Sequence, residues 1–178
     1  MCNITAAHGW TVALDGLTRG WGVEDLHLIG GWEEDEFKHH NNWVSDLGWK
    51  MISFTGGLNP YVRRVRISNV TGTPVEFEAS MGATCILTAI EGPRGHSSFK
   101  SKMFSFGTLF AFTSDHNQFH GHAVAVGAVG TVITNSKISD RGLDWHGVLT
   151  ATRTYESHLP PLTQCARSRP DRITRTPR

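Results

Sequence analysis

From residue 60 onward the chain is cut into short runs in which apolar and polar residues alternate. Each run is closed by glycine, proline or small polar residues. A period of two is the mark of a strand with one buried face. In 61–68, Tyr61, Arg63, Val65 and Ile67 share a face. Residues 69–74 (NVTGTP) have turn composition. Val75, Phe77 and Ala79 then alternate with Glu76, Glu78 and Ser80, which predicts a hairpin from the two runs. Residues 83–90 are apolar on both faces and read as a central strand. Further strands are expected over 99–104, 106–113, 119–126, 131–134 and 145–153, with Phe106, Phe110 and Phe112 on one face. Many short strands with glycine-rich turns predict a mainly β fold, an antiparallel β-sandwich or a closed barrel.

The first fifty residues carry a different pattern. Trp10, Trp21, Trp32 and Trp43 follow one another at a constant interval, which Phe54 continues. Gly9, Gly16, Gly20, Gly22, Gly30 and Gly31 argue against one long helix, because each interior glycine costs about 1 kcal/mol relative to alanine. One short helix is expected over 33–47. There, four acidic residues (Glu33 to Glu36) favour a helix start, and Phe37, Val44, Leu47 and Met51 form a helical stripe.

Past Tyr155 the composition shifts. Residues 156–178 hold four of the seven prolines and no glycine. The stretch 157–178 holds Arg167, Arg169, Arg172, Arg175 and Arg178 against Asp171 alone. Such a segment cannot bury enough surface to offset its ordering entropy. The expected organisation is one β-rich domain over 1–155 and a disordered basic tail over 156–178.

With the formal charge of the whole chain at only +1, a strongly basic nucleic-acid-binding face is not expected outside the tail. Cys2, Cys85 and Cys165 match no paired-cysteine motif and read as free thiols in a reducing compartment. No basic start or apolar signal core is visible at the N-terminus, so the glycosylation patterns at Asn3 and Asn69 are expected to be unused. The expectation is a cytoplasmic or leaderless-secreted protein. The longest apolar run, 123–133, is too short to span a bilayer, which takes roughly 20 residues.

The densest chemistry is Asp115-His116 followed by His120 and His122. On a strand, His120 and His122 would project from the same face, as the strand-borne half of a three-histidine metal site does. His116 is the candidate third ligand, with His96 and His146 as alternatives, and zinc or another divalent metal the expected ion. The competing account is a pair of surface histidines. The spacing is similar to the first cupin motif, but the glutamate expected after His122 is absent. Glu76 and Glu78 share a strand face and could serve as an acid/base pair, although a solvated sheet face is the simpler reading. Nucleotide motifs and a nucleophile elbow are missing.

The aromatic content suggests another role. Exposed tryptophans stack on sugars or sit at lipid interfaces, which makes Trp10, Trp21, Trp32 and Trp43 candidate ligand-binding residues; core packing is the alternative. The run Val65 to Gly72, followed by Gly82, Gly95, Phe99 and Gly107, resembles the strand-and-turn pattern of small cytolysin-like sandwiches of the aegerolysin and actinoporin families. That resemblance implies a two-sheet sandwich that binds lipid or glycan without catalysis. The leading expectation is therefore a non-catalytic module for a glycan or lipid headgroup. Alternatives are a metal-dependent enzyme built on His120 and His122, and a coat-type protein whose arginine tail holds nucleic acid. Homo-oligomers fit any of the three.

Overall fold

The chain forms a β-solenoid of about four turns with three parallel sheets. The computed structural model describes residues 2–5, 12–15, 19–30, 50–70, 72–91, 96–116, 120–138 and 142–146; for 2–5, 12–15 and His146, one of the candidate metal ligands, only the backbone is described. The expected helix over 33–47 and the tail over 156–178 lie outside the described residues, among which there is no helix.

The chain opens with β1 (Cys2–Thr5) and then repeats one circuit. The first circuit is β2 (Val12–Asp15), β3 (Gly22–Glu24) and β4 (Leu26–Ile29), and the second is β5 (Ile52–Thr55), β6 (Tyr61–Arg63) and β7 (Arg66–Ser68). The third is β8 (Val75–Glu78), β9 (Thr84–Ile86) and β10 (Ala89–Glu91), and the fourth is β11 (Ser97–Lys102), β12 (Leu109–Ala111) and β13 (Ser114–Asp115). Then come β14 (His120–Ala125), β15 (Val132–Thr134) and β16 (Asp144–His146). Each strand pairs with its counterpart one circuit away. Sheet I is ordered β2-β5-β8-β11-β14-β16, sheet II β3-β6-β9-β12-β15, and sheet III β1-β4-β7-β10-β13.

This overturns the expected antiparallel sandwich or closed barrel. All the strand pairs are parallel, and the predicted hairpin of 61–68 with 75–79 does not form. The physical reason is that alternation specifies which face of a strand is buried, but not whether its neighbour runs the same way. A solenoid strand with one face inward alternates just as a sandwich strand does. The corners add a second correction. The run 83–90 covers parts of two strands, divided at Leu87, and the run 106–113 holds β12 alone, followed by the corner at Phe112; both corner residues hold left-handed backbone (φ 53° and 52°). A left-handed residue turns the chain, so Phe106, Phe110 and Phe112 do not share a face. Phe110 is fully buried, whereas Phe106 and Phe112 are exposed.

Register stacks like residues in columns along the axis. Ile52, Val75, Phe99 and His122 form one interior column, and Val62, Cys85, Phe110 and Ile133 another. Phe54 stacks on Phe77 with ring centroids 5.7 Å apart. Burying each such side chain stabilises the fold by about 1.5–3 kcal/mol.

Toward β11 and β14 the interior turns polar, and several of its hydroxyls are engaged locally. Ser101 and Thr108 share a hydroxyl hydrogen bond of 3.0 Å. Ser105 Oγ accepts from the Ser80 N–H (3.3 Å) and donates to the carbonyl of Lys102 (2.7 Å). Serine and threonine suit these corners because their hydroxyls bond backbone groups that the turns leave unpaired.

Candidate binding face on sheet II

The outward side chains of sheet II form a grid, because parallel in-register pairing aligns equivalent positions. Across the β12 circuit the outward row is Phe106, Leu109, Ala111 and Phe112. The row one circuit before is Met81, Thr84, Ile86 and Leu87. The row one circuit later is Val129, Val132, Thr134 and Asn135. Neighbouring rows are about 4.8 Å apart, the strand spacing of any sheet. The β12 row is apolar from end to end, with Ala111 buried and Leu109 partly exposed, whereas Thr84 interrupts the row before it and Thr134 and Asn135 the row after. Phe106 and Phe112 close its two ends, each 55% exposed, and Met81 and Leu87 are exposed to a similar degree in the row beside it.

Two features make this surface costly to the fold alone. Apolar area is left in water, and contiguous apolar patches of this kind mark interaction sites on soluble proteins. Leu87 and Phe112 also occupy left-handed backbone, in a column whose other members are Asp25, Arg64 and Asn135. Asp and Asn tolerate that conformation through local hydrogen bonds; a leucine or phenylalanine gains no such relief.

Charge borders the face: Arg19 is exposed in the column of Leu58, Met81 and Phe106, and paired charges stand at the other edge. Where that other edge passes β6, Arg63 and Arg64 form ion pairs with Glu24 and Asp25. The Arg64 guanidinium, bonded to Asp25 at 2.6 Å, holds the Asp25 carboxyl below the usual range. Beyond the corner, Arg66 pairs with Glu91.

A further exposed aromatic stands at the neighbouring corner between sheets I and II. Phe104 is 77% exposed, and Met103 and Phe104 both have positive φ (51° and 64°). An alanine-like Cβ at Gly127 would lie 3.0 Å from Phe104 Cδ1, so the bare glycine makes room for the ring.

The outer face of sheet I carries a different cluster. Glu76 is only 2% exposed, and its Oε1 lies 2.6 Å from Lys50 Nζ and 3.2 Å from Lys102 Nζ. Lys102 Nζ is also 3.2 Å from Glu78 Oε2. Burial pulls the Lys102 ammonium down, but the two carboxylates outweigh it and hold the group above its ordinary value. Burial dominates at Lys100 and lowers it. The solvated face expected for Glu76 and Glu78 is therefore a knot of ion pairs, with an ammonium held by both carboxylates where an acid/base pair would require room for substrate.

The predicted histidine site is dispersed. His122 is fully buried in the interior, its ring stacked on Phe99 and edge-on to Phe110. His116 is exposed. His120 lies 3.8 Å from Asp144 and packs edge-on against His96, with ring centroids 5.4 Å apart. Among the described residues no three His, Cys, Asp or Glu side chains are grouped so as to hold a metal ion. Of the predicted aromatic ligand-binding residues, Trp21 is exposed, whereas Trp10, Trp32 and Trp43 lie outside the described residues. Among the described residues no helix is long and apolar enough to cross a membrane.

Sequence reasoning missed Met81, Leu87, Phe106 and Phe112. The signal that could have found them is the recurrence of Gly82, Gly107 and Gly130, all with positive φ, at corresponding corners of successive circuits.

No family model matches the sequence, and no curated protein matches it. Among solved structures the chain is similar to one titled "putative glycosyl hydrolase from Parabacteroides merdae", with 9% identity, 80% of this chain and 81% of that chain covered, and a TM-score of 0.41.

Proposed function

We propose that this chain is a binding module that recognises a glycan through the outer face of sheet II. The observation that carries the reading is the β12 row, wholly apolar and closed at both ends by exposed phenylalanines. Pyranose rings present faces of C–H groups, and aromatic rings stack on such faces while the hydroxyls stay in water. An anionic membrane would be drawn by unpaired cations, yet Arg63 and Arg64 at the rim are already paired with Glu24 and Asp25. That edge of the face favours an uncharged ligand.

The test is a depletion assay against a panel of neutral polysaccharides, soluble and insoluble, with neutral and anionic liposomes alongside. Wild type should be depleted by at least one polysaccharide, and the Phe106→Ala/Phe112→Ala variant should not. Depletion by liposomes alone would overturn the glycan reading.

A further inference from the structure

We infer that Ser98 and Lys100, neighbours on the outer face of β11, form a binding site for a single carboxylate group. The site belongs to sheet I and does not depend on the glycan reading of sheet II. Phe99 points into the core, so Ser98 and Lys100 on either side of it project outward. Residues two apart on one face of a strand stand about 6.6 Å from each other, a distance a lysine side chain can span.

Register explains why Ser98 has nothing to bond. Its lateral neighbours are Pro74 on β8's side and Gly121 on β14, and neither carries a polar side chain. The hydroxyl is fully buried and has no hydrogen-bond partner among the described residues. A buried hydroxyl left unbonded is a cost to the fold that a ligand oxygen would relieve.

Lys100 is left over in the same way. It lies between Glu76 and Ala123. Ala123 offers a methyl group alone, and Glu76 Oε1 is already held by Lys50 at 2.6 Å and Lys102 at 3.2 Å. Among the described residues Lys100 forms no ion pair, although it is partly buried. Burial is the largest influence on its ammonium and pushes it down; Lys102 and Lys50 act in the same direction, against Glu76 and Asp144. Cations drawn out of water are ordinarily paired.

The charges set the ligand class. Lys50 and Lys102 are matched at ion-pair distance by Glu76 and Glu78, and Lys100 is the cation without such a match. A carboxylate brings one negative charge and two oxygens, one for the ammonium and one for the Ser98 hydroxyl. A dianion would set excess negative charge beside Glu76 and Asp144.

The experiment titrates the full-length protein, carrying isotope-labelled lysine, and follows the Lys100 Cε resonance by nuclear magnetic resonance. The resonance is assigned by its loss in Lys100→Met. Sodium acetate and sodium glucuronate are compared with sodium sulfate, at an ionic strength kept constant with sodium chloride. The expected result is a saturable shift with a carboxylate, with sulfate bound about threefold more weakly or worse, and carboxylate binding weakened about tenfold in Ser98→Ala. That variant loses an unbonded hydroxyl and should fold, as circular dichroism checks. Tighter binding of glucuronate would assign the carboxylate to an acidic sugar; acetate bound as tightly or more tightly would assign it to a small carboxylic acid. No saturable shift, or sulfate bound as tightly as either carboxylate, would overturn the inference. So would unchanged carboxylate binding in folded Ser98→Ala. The glycan reading stands whichever result is obtained.

Discussion

The imidazole of His122 stacks on the ring of Phe99, with centroids 4.7 Å apart and planes inclined by 22°. The side chain the sequence offered as a metal ligand is thus part of the core. Its hydrogen bonding can be traced through the hydroxyls. Ser136 Oγ donates to the Thr134 carbonyl (3.0 Å), and Thr113 Oγ1 donates to Ser136 Oγ (2.8 Å). Thr113 has no second proton, so His122 Nε2–H is the donor at 2.9 Å. Burial disfavours the charged ring, so it is neutral with its proton on Nε2, and Nδ1 has no hydrogen-bond partner among the described residues.

Burial pushes the His122 imidazole down from 6.5 to about 3. Between those values the unfolded chain binds a proton that the folded chain refuses. Stability is therefore lost as pH falls through that window, by up to about 1.4 kcal/mol per pH unit. Urea midpoints measured from pH 7 to pH 4 should fall steadily. A His122→Leu variant should show a shallower slope, since it removes this term while leaving Thr113 bonded to Ser136.

Glu76 presents the opposite case, a buried charge that is paired. Glu76→Gln removes a negative charge held close to both Lys50 and Lys102. Breaking such a pair strands the remaining charges and should destabilise the fold by about 3 kcal/mol. Glu78→Gln, at a less buried side chain paired with Lys102, should cost less than about 1 kcal/mol. Equal losses in the two variants by chemical denaturation would contradict this account.

Cys85 stands in the Val62–Phe110 column, fully buried, and burial pushes its thiol up to about 12. In a Cys2→Ser/Cys165→Ser background the remaining thiol should be inert to a disulfide reagent at pH 8. Its modification should begin only with global unfolding. Rapid labelling of native protein would show that the interior column is open to solvent.

The corner beneath Phe104 predicts a substitution that is small in volume and large in effect. Gly127 has φ 73°, and an added Cβ would meet the Phe104 ring at 3.0 Å. Gly127→Ala should cost about 1–2 kcal/mol from backbone strain alone. A Phe104→Ala/Gly127→Ala double variant should recover only the part due to the ring contact.

The sequence shows the positions of most strands and the inward face of several. Val75 and Phe77 lie inside as their alternation predicts, and 119–126 contains β14. It conceals the direction of pairing, because a hairpin and a solenoid circuit bury the same alternate residues. The cue lies in long-range recurrence. Val62, Cys85, Phe110 and Ile133 recur every 23 to 25 residues, whereas the more conspicuous tryptophan spacing falls mostly outside the described residues. The apolar outer face of sheet II was hidden for a related reason. Phe106, Phe110 and Phe112 satisfy one strand's alternation, and only the left-handed turn at Phe112 and the corner at Gly107 send two of them outward.

The most direct test of the glycan-binding claim is the retention of wild type and Phe106→Ala/Phe112→Ala on the same neutral polysaccharide, with thermal midpoints measured in parallel. Both residues are exposed, so stability should change by no more than about 0.5 kcal/mol. Loss of two stacking contacts should lower affinity at least tenfold, about 1.4 kcal/mol. Unchanged retention in a folded double variant would show that sheet II is not the binding face.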